Sequence, residues 1–302
     1  MTEVLKVGTR RSPLARVQTE IVVQALVQRR PGLRLEARAL RTSGDRDRRP
    51  GGSPDFTDAI DRALLEGEID LAVHSAKDLP LALAPGLALS ACPRRVDPRD
   101  CLVLHRTTDA ANLPRGARVG SSSARRRAQL LRWRPDLKVI EMRGNVDHRL
   151  ERVRDGEFDA AILAVAGLQR LGRAGEIGRI LPVREFLPAP AQGALAVVVR
   201  ATDRSTEELV SAIDHSPTHA AVVAERSFAS ALGGDCATPL GALARTERTR
   251  LSLDGEVLAP NGRVRIRGRA SGPSRRPAEL GSRLARTVLD RGAGILLSRT
   301  RG

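Results

Sequence analysis

Aromatic side chains make up only 2% of the 302 residues, with one tryptophan, four phenylalanines and no tyrosine. Platforms on which nucleic-acid bases stack are therefore scarce. Cysteine is equally thin: Cys92, Cys101 and Cys236 form an odd set without the spacing of a metal site or a disulfide framework. That usage fits a reduced, cytoplasmic setting in which a cysteine matters through its own chemistry. No run of about 18 apolar residues occurs, which excludes a helical membrane span. The opening residues 1–6 lack the apolar core of a secretion signal. Lysine is confined to Lys6, Lys77 and Lys138, so nearly all of the 51 basic residues are arginine.

What is present is a chain long enough for two or three domains and, at 41% hydrophobic, able to bury real cores. The formal charge of +16 suits a polyanion partner, but the arginines are spread over most segments. Arginine is the better residue for bidentate capture of carboxylate or phosphate. One of the three lysines stands in Leu71-Ala72-Val73-His74-Ser75-Ala76-Lys77-Asp78-Leu79-Pro80, an apolar run that reads as a buried strand and ends in a cluster of polar groups. Such a strand end either faces a ligand in an open α/β sheet or is a solvated Lys–Asp pair. His74 reads equally as structural.

The chain before it alternates strand and helix. Residues 5–9 form a strand, and Ser12-Pro13 opens a helix that ends near Pro31-Gly32. Residues 33–40 alternate as a strand, 41–55 form a mobile surface loop, and 57–66 form a helix. The pattern then recurs. Lys6-Val7-Gly8-Thr9-Arg10-Arg11-Ser12 is similar to Arg118-Val119-Gly120-Ser121-Ser122-Ser123, and residues 66–73 are similar to 155–162. The first copy is longer, and the 41–55 loop supplies most of the excess. Two related α/β lobes result, and lobes of this kind enclose a cleft that a loop on one of them covers. Aligning the copies sets Asp78 opposite Gly167 and Lys77 opposite Ala166.

The second copy continues with a helix over 124–133, a strand over 137–142, the turn Arg143-Gly144-Asn145, a helix over 146–154 and a strand over 160–166. A strand at 194–200, a capping box Ser205-Thr206-Glu207-Glu208 and a helix over 218–232 follow. Beyond Gly233, strands over 250–258 and 263–270 flank the hairpin signal Pro260-Asn261-Gly262, and a helix covers 278–290. This is a small α+β domain entered through Gly233-Gly234-Asp235-Cys236-Ala237-Thr238-Pro239.

The turns at Thr9–Ser12 and Ser121–Ser123 lie at helix N-termini, where backbone N–H groups attract anions. No Gly-Lys-Ser/Thr ends them, so neither is a P-loop. Arg125, Arg126, Arg143, Arg149 and Arg170 follow in the second copy, either as a solvated basic face or as binders of carboxylates or phosphates. Cys236 reads as an inert small residue or as a point of covalent attachment with clearance from its glycines.

Together, the motifs Thr9–Ala15, Ala72–Pro80, Asp97–Asp100, Gly120–Arg126, Arg143–Val146, Ile162–Leu168, Gln192–Ala194 and the Cys236 segment resemble the porphobilinogen deaminase family, also called hydroxymethylbilane synthases. The resemblance covers nearly the whole chain. It implies two α/β lobes of the type II periplasmic-binding-protein kind with an active-site cleft between them, plus a small C-terminal α+β domain. The expected division is 1–93 with 194–212, carrying Asp78 and a lid loop at 41–56; 99–188, rich in arginine; and 216–302. A dipyrromethane cofactor is expected as a thioether on Cys236, with Lys77, Ser123, Arg125 and Arg126 binding it. Arg10, Ser12, Phe56, Arg143, Arg149 and Arg170 are expected to bind substrate, and Asp78 to be the catalytic carboxylate. Four porphobilinogen units are joined with loss of ammonia, and a linear tetrapyrrole leaves by hydrolysis. Neither metal, nucleic acid nor membrane is implied, and a cytoplasmic monomer is expected. One departure stands out: the family's Gly-Gly-Lys-Gly-Leu-Phe is here Gly51-Gly52-Ser53-Pro54-Asp55-Phe56, so Ser53 replaces the lysine and Asp55 adds negative charge. The competing reading of two such lobes is a small-anion binding protein without catalysis.

Overall fold

A hydroxyl before a proline opens the first long helix, as the local chemistry demands. Ser12 accepts a hydrogen bond from the Ala15 N–H at 3.3 Å, and Pro13 fills a first-turn position that needs no N–H. The computed structural model describes residues 4–43, 57–106, 113–234 and 238–298. Phe56, Ser53, Asp55, Cys236 and most of the expected 41–56 loop lie outside the described residues.

In chain order, β1 (Val4–Arg10), α1 (Pro13–Arg29), β2 (Arg34–Leu40), α2 (Asp58–Leu65), β3 (Leu71–Ser75) and β4 (Leu87–Ala91) come first. Next are β5 (Asp100–Leu104), β6 (Arg118–Gly120), α3 (Ala124–Trp133), β7 (Lys138–Ile140), α4 (Val146–Arg154), β8 (Ala160–Ala164), α5 (Val165–Arg170) and β9 (Arg179–Ile180). The chain closes with β10 (Leu195–Arg200), α6 (Arg204–Ser211), α7 (Ser216–Ala231), β11 (Leu240–Glu247), β12 (Arg250–Leu258), β13 (Arg265–Pro273), α8 (Pro277–Val288) and α9 (Gly294–Ser298).

These elements form two compact units. The first joins Met1–Val96 to Ala194–His219. Its five-stranded sheet has the order β2-β1-β3-β10-β4, with β1 parallel to β2 and β3, and β10 antiparallel to both of its neighbours. Val7, Val22, Leu26, Leu71, Val73, Val197 and Val199 fill its core. The near-continuous apolar runs of β3 and β10 suit central strands covered on both faces.

The second unit joins Asp97–Gly193 to Ala220–Gly302. Its larger sheet has the order β7-β6-β8-β5-β9, again with one antiparallel strand, β5, in the fourth place. Apolar clusters cover it on both sides, one around Leu130, Ile162 and Phe186 and the other around Met142, Leu150 and Phe158. A three-stranded antiparallel sheet, β11-β12-β13, with α8 packed on it completes the unit. The fold is therefore mixed α/β with two related five-stranded sheets and a small C-terminal α+β part.

The internal repeat holds down to single hydrogen bonds. Val7 pairs with Leu71 as Val119 pairs with Ala160. The Lys6 N–H donates to Asp70 at 2.7 Å and the Arg118 N–H to Asp159 at 2.6 Å. Gly67 and Gly156, which precede these strands, have φ of 74° and 79°. Three sequence expectations need correction. The cap of α6 is Asp203, not Ser205: Asp203 accepts from the Thr206 N–H at 3.1 Å and from the Ser205 hydroxyl at 2.9 Å, because an aspartate at the helix mouth outcompetes a serine one turn in. The strand expected over 160–166 stops at Ala164, where α5 begins. The strands β4, β5, β9 and β11 are additional, and the first two are short apolar runs without clean alternation.

Gly262 has φ 71°, and a Cβ there would lie 2.6 Å from the backbone nitrogen of Arg132 at the end of α3. The β12–β13 turn therefore rests on α3 backbone to backbone. Gly262→Ala should cost about 2 kcal/mol or more. Urea unfolding followed by the fluorescence of Trp133, which packs edge-on against Phe186 at 5.7 Å, checks this directly in the second unit.

Candidate functional site

Parallel pairing decides where the polar residues of the first unit go. Because β1 and β3 run side by side, the segments that leave them, Thr9–Ser12 and His74–Asp78, emerge at one edge of the sheet. This edge brings together Arg10, Ser12, Lys77 and Asp78. The Thr9 hydroxyl donates to the Ala15 carbonyl at 3.2 Å, which ties the turn to the first coil of α1. Ser75 and the Gln18 amide lie 2.8 Å apart, binding the end of β3 to the same helix.

After β3 the backbone makes one 3-10 turn, Ala76–Asp78. Ala76 is fixed by donating to the Ala194 carbonyl at 3.0 Å, and Leu79 is buried. Between these anchors Lys77 is exposed and Asp78 half-buried. Pro80 stops the turn from growing into a helix. Asp78 is thus a carboxylate on a rigid mount at the sheet edge, within one turn of a cation and beside a helix N-terminus. His74, opposite Ala196 on β10, is buried. Burial, aided by the charge of Arg10, pulls its pKa down to about 4, so the ring is neutral. Its Nε2 makes no hydrogen bond among the described residues.

The second unit repeats the edge with different chemistry. Ser121–Ser123 follow β6, Arg143 follows β7, and α5 with Arg170 follows β8. Ser123 caps α3, accepting from the Arg126 N–H at 3.4 Å, while the Ser122 hydroxyl donates to the Met142 carbonyl at 3.0 Å. Arg143 donates to Glu141 at 2.7 Å, and Arg149 donates to the Gly144 carbonyl at 2.9 Å. Arg170 is mostly buried, which lowers its pKa to about 10 and leaves it charged at neutral pH. One of its amino groups donates to the Gly193 carbonyl at 2.8 Å, while its Nε–H is buried with no acceptor among the described residues.

Arg125 and Arg126, in the first turn of α3, are placed differently from the rest. Both are buried and paired with Asp100, each at 2.7 Å. Arg126 also donates to the Ile162 carbonyl at 3.2 Å, and Arg125 to Gln129 at 2.8 Å and the Leu187 carbonyl at 2.9 Å. Gln192 adds an N–H to Asp100 at 2.9 Å. Burial alone would raise the Asp100 pKa; the two guanidinium groups overcome it and hold the carboxyl well below the usual range. Burial lowers the pKa of Arg125. These two arginines support the Ser121–Ser123 turn from within.

Sequence reasoning named the Asp97–Asp100 and Gln192–Ala194 motifs but assigned no role to Asp100 or Gln192. An acid heading the apolar strand Asp100-Cys101-Leu102-Val103-Leu104 signals a buried charge that must find cations. Glu225 and Glu256, both wholly buried, were not singled out from the sequence either. Cys101 sits beside Asp100, and burial with that neighbouring charge pushes its thiol up to about 12, so it is inert at neutral pH.

The neutral His74 has a consequence for stability. Unfolded, the ring takes a proton near pH 6.5; folded, it refuses one until about pH 4. Between these values unfolding takes up a proton, so stability falls as the pH falls, by at most about 3 kcal/mol. Far-ultraviolet circular dichroism in urea should show this slope, and His74→Leu should flatten it. An unchanged slope would assign the titration to another group.

Residues 5–208 match the family model described as porphobilinogen deaminase, dipyromethane cofactor binding domain, and residues 219–290 match porphobilinogen deaminase, C-terminal domain. The porphobilinogen deaminase of Roseiflexus sp. (strain RS-1) is 45% identical over 303 residues, spanning 99% of this chain and 100% of the relative. Those of Moorella thermoacetica and Thermus thermophilus are 47% and 45% identical, over 97% and 99% of this chain and 95% and 99% of their own lengths. Among solved structures, the periplasmic VFT2 domain of Bordetella pertussis BvgS aligns with a TM-score of 0.43 at 19% identity, over 70% of this chain and 86% of that domain. Matched by both domain models and by relatives along its full length, the chain belongs to the porphobilinogen deaminase family.

Proposed function

We propose that the protein joins four porphobilinogen molecules head to tail on a dipyrromethane held by Cys236, releasing one ammonia at each addition and a linear tetrapyrrole on final hydrolysis. The observation that carries this reading is the match of the whole chain to the family together with Asp78 on its rigid turn at the sheet edge. The residues present fit polycarboxylate pyrroles, the chemistry that substrate and cofactor share. The buried Arg170 Nε–H has no protein acceptor among the described residues, and a pyrrole carboxylate supplies one. When bound, the dipyrromethane supplies the nucleophilic pyrrole carbon that accepts the first unit.

The chain's own residues act around the incoming substrate. Asp78 stands at the substrate's aminomethyl nitrogen and helps deliver the proton with which ammonia leaves. The C–N bond breaks, and the electron-poor pyrrole methylene that remains is stabilised by the adjacent carboxylate charge. After the new carbon–carbon bond forms, the displaced pyrrole proton returns to the carboxylate. Arg10, Ser12, Arg143, Arg149 and Arg170 bind the acetate and propionate groups and set orientation, with Phe56 packing on a pyrrole ring. Lys77, Ser123, Arg125 and Arg126 serve the cofactor side. For Arg125 and Arg126 the service is largely through the turn they support, because most of their donors are taken by Asp100 and carbonyls. A small-anion binding role without catalysis would leave Asp78 and Cys236 without a task.

The three separate sheets support the division into residues 1–93 with 194–212, 99–188 and 216–302. We also propose a cytoplasmic monomer acting on a small molecule rather than on nucleic acid. Cys92 and Cys101 are both buried, and no helix among the described residues is long and apolar enough to cross a membrane.

Intact mass spectrometry of the purified protein should give a value above that of the sequence by one dipyrromethane, and Cys236→Ser should remove the increment. An active preparation at the bare sequence mass would sink the covalent attachment. Asp78→Asn should retain the fold and the increment while turnover drops by roughly 10²- to 10⁴-fold. Unchanged turnover would strip Asp78 of its role.

A further inference from the structure

Glu225 sits in the middle of α7 and is wholly buried. Its carboxylate accepts two backbone hydrogen bonds, from the Ala191 N–H at 2.5 Å and from the Ala244 N–H at 2.7 Å. Such charge-assisted bonds are about twice as strong as neutral ones. The helix carrying Glu225 enters the segment that contains Cys236, and β11, which carries Ala244, leaves it. One carboxylate therefore clasps both flanks of that segment.

The other bond reaches the turn that precedes β10. Ala191 has φ 62°, a left-handed conformation that a residue with a side chain adopts at a cost. Its N–H bond to Glu225 holds it there. The next residue, Gln192, donates to Asp100 at 2.9 Å and to the Pro98 carbonyl at 2.8 Å. The residue after that, Gly193, offers its carbonyl to Arg170 at 2.8 Å. The strained turn therefore hands Gln192 to the buried ion cluster and Gly193 to the arginine whose Nε–H has no acceptor among the described residues.

We infer that Glu225 is a positioning residue for the reaction. It fixes the 189–193 turn, and through Gly193 it fixes the reach of Arg170 toward a pyrrole carboxylate. β11 and the turn that meets Arg170 thereby share one anchor. The inference rests on the proposed function for what Arg170 binds; the geometry of the turn stands without it.

The test uses the full-length holoenzyme with Glu225→Gln, which keeps the shape and removes the charge. Hydrogen exchange, measured without substrate, should be faster in peptides covering residues 189–193. With porphobilinogen, KM should rise about tenfold while kcat changes by less than about threefold. In an Arg170→Lys background the same substitution should add little, because both changes act through one contact. A wild-type KM, or effects of the two substitutions that simply multiply, would overturn the inference. Should Glu225→Gln fail to fold, Glu225→Asp keeps the charge, shortens the reach and carries the same cycle. A wild-type protein with no turnover would remove the functional reading instead. The exchange measurement would still decide whether Glu225 holds the turn: unchanged exchange at 189–193 would overturn that part by itself.

Discussion

A carboxylate with no exposed surface governs the second unit. Asp100 heads β5 in the middle of a sheet, where an isolated charge would be untenable. It is tolerated because Arg125, Arg126 and Gln192 surround it. Meeting that demand fixes much else. Both cations must come from the first turn of α3, a position the helix dipole disfavours for positive charge, so the ion pairs also offset that cost. The arginines' remaining donors then pull in the Ile162 carbonyl of β8 and the Leu187 carbonyl of the following loop. Gln129 extends the chain of bonds to Glu256 on β12 at 2.8 Å, so the C-terminal sheet is tied into the same network. Replacing such a cluster with apolar residues is often neutral for stability; its physical yield here is orientation of the Ser121–Ser123 turn.

The two related sheets solve one structural problem and then part in chemistry. The backbone bonds of Lys6 with Asp70 and of Arg118 with Asp159 are equivalent, as is the register of the central strands. Past the ends of those strands the copies diverge. The first makes a single tight turn that presents Lys77 and Asp78; the second runs straight into α5 and ends with Arg170. A short turn holds one carboxylate in a defined direction. A helix carries a cation further from the sheet and buries most of it.

Much of this was legible in the residues. Ser12 as a cap, the Ser121–Ser123 turn at a helix N-terminus, α3 over Ala124–Trp133, the Arg143-Gly144-Asn145 turn and the repeat follow from local chemistry that no tertiary contact overrides. The turn at Pro260-Asn261-Gly262 also declared itself, with Gly262 supplying the positive φ. What was hidden depends on distant parts of the chain. β4 and β5 become strands because neighbours far along the chain supply their hydrogen bonds. The burial of Arg125 and Arg126 follows from Asp100, about 25 residues earlier by the spacing of the pair. Glu225 gives no signal in its own helix, since its partners Ala191 and Ala244 contribute only backbone N–H groups. The resemblance to a family singled out Asp78 and the arginines as expected site residues; it did not reveal which arginines spend their charge inside the protein.

The place of β10 in the first sheet bears on how the protein is made. The strands of the second five-stranded sheet all lie between Asp100 and Ile180, so that sheet has all its strands once this one stretch is synthesised. The first sheet has no such closure. Its strand β3, which leads to Asp78, pairs along one side with Leu195–Arg200, and that partner emerges from the ribosome more than a hundred residues later. Until then β3 is an edge with unpaired N–H and C=O groups along an apolar face, the arrangement most open to wrong pairing. The sheet that comes first in the chain is thus completed after the second five-stranded sheet, and the nascent polypeptide carries the strand that leads to Asp78 uncovered on one side while more than a hundred residues are added.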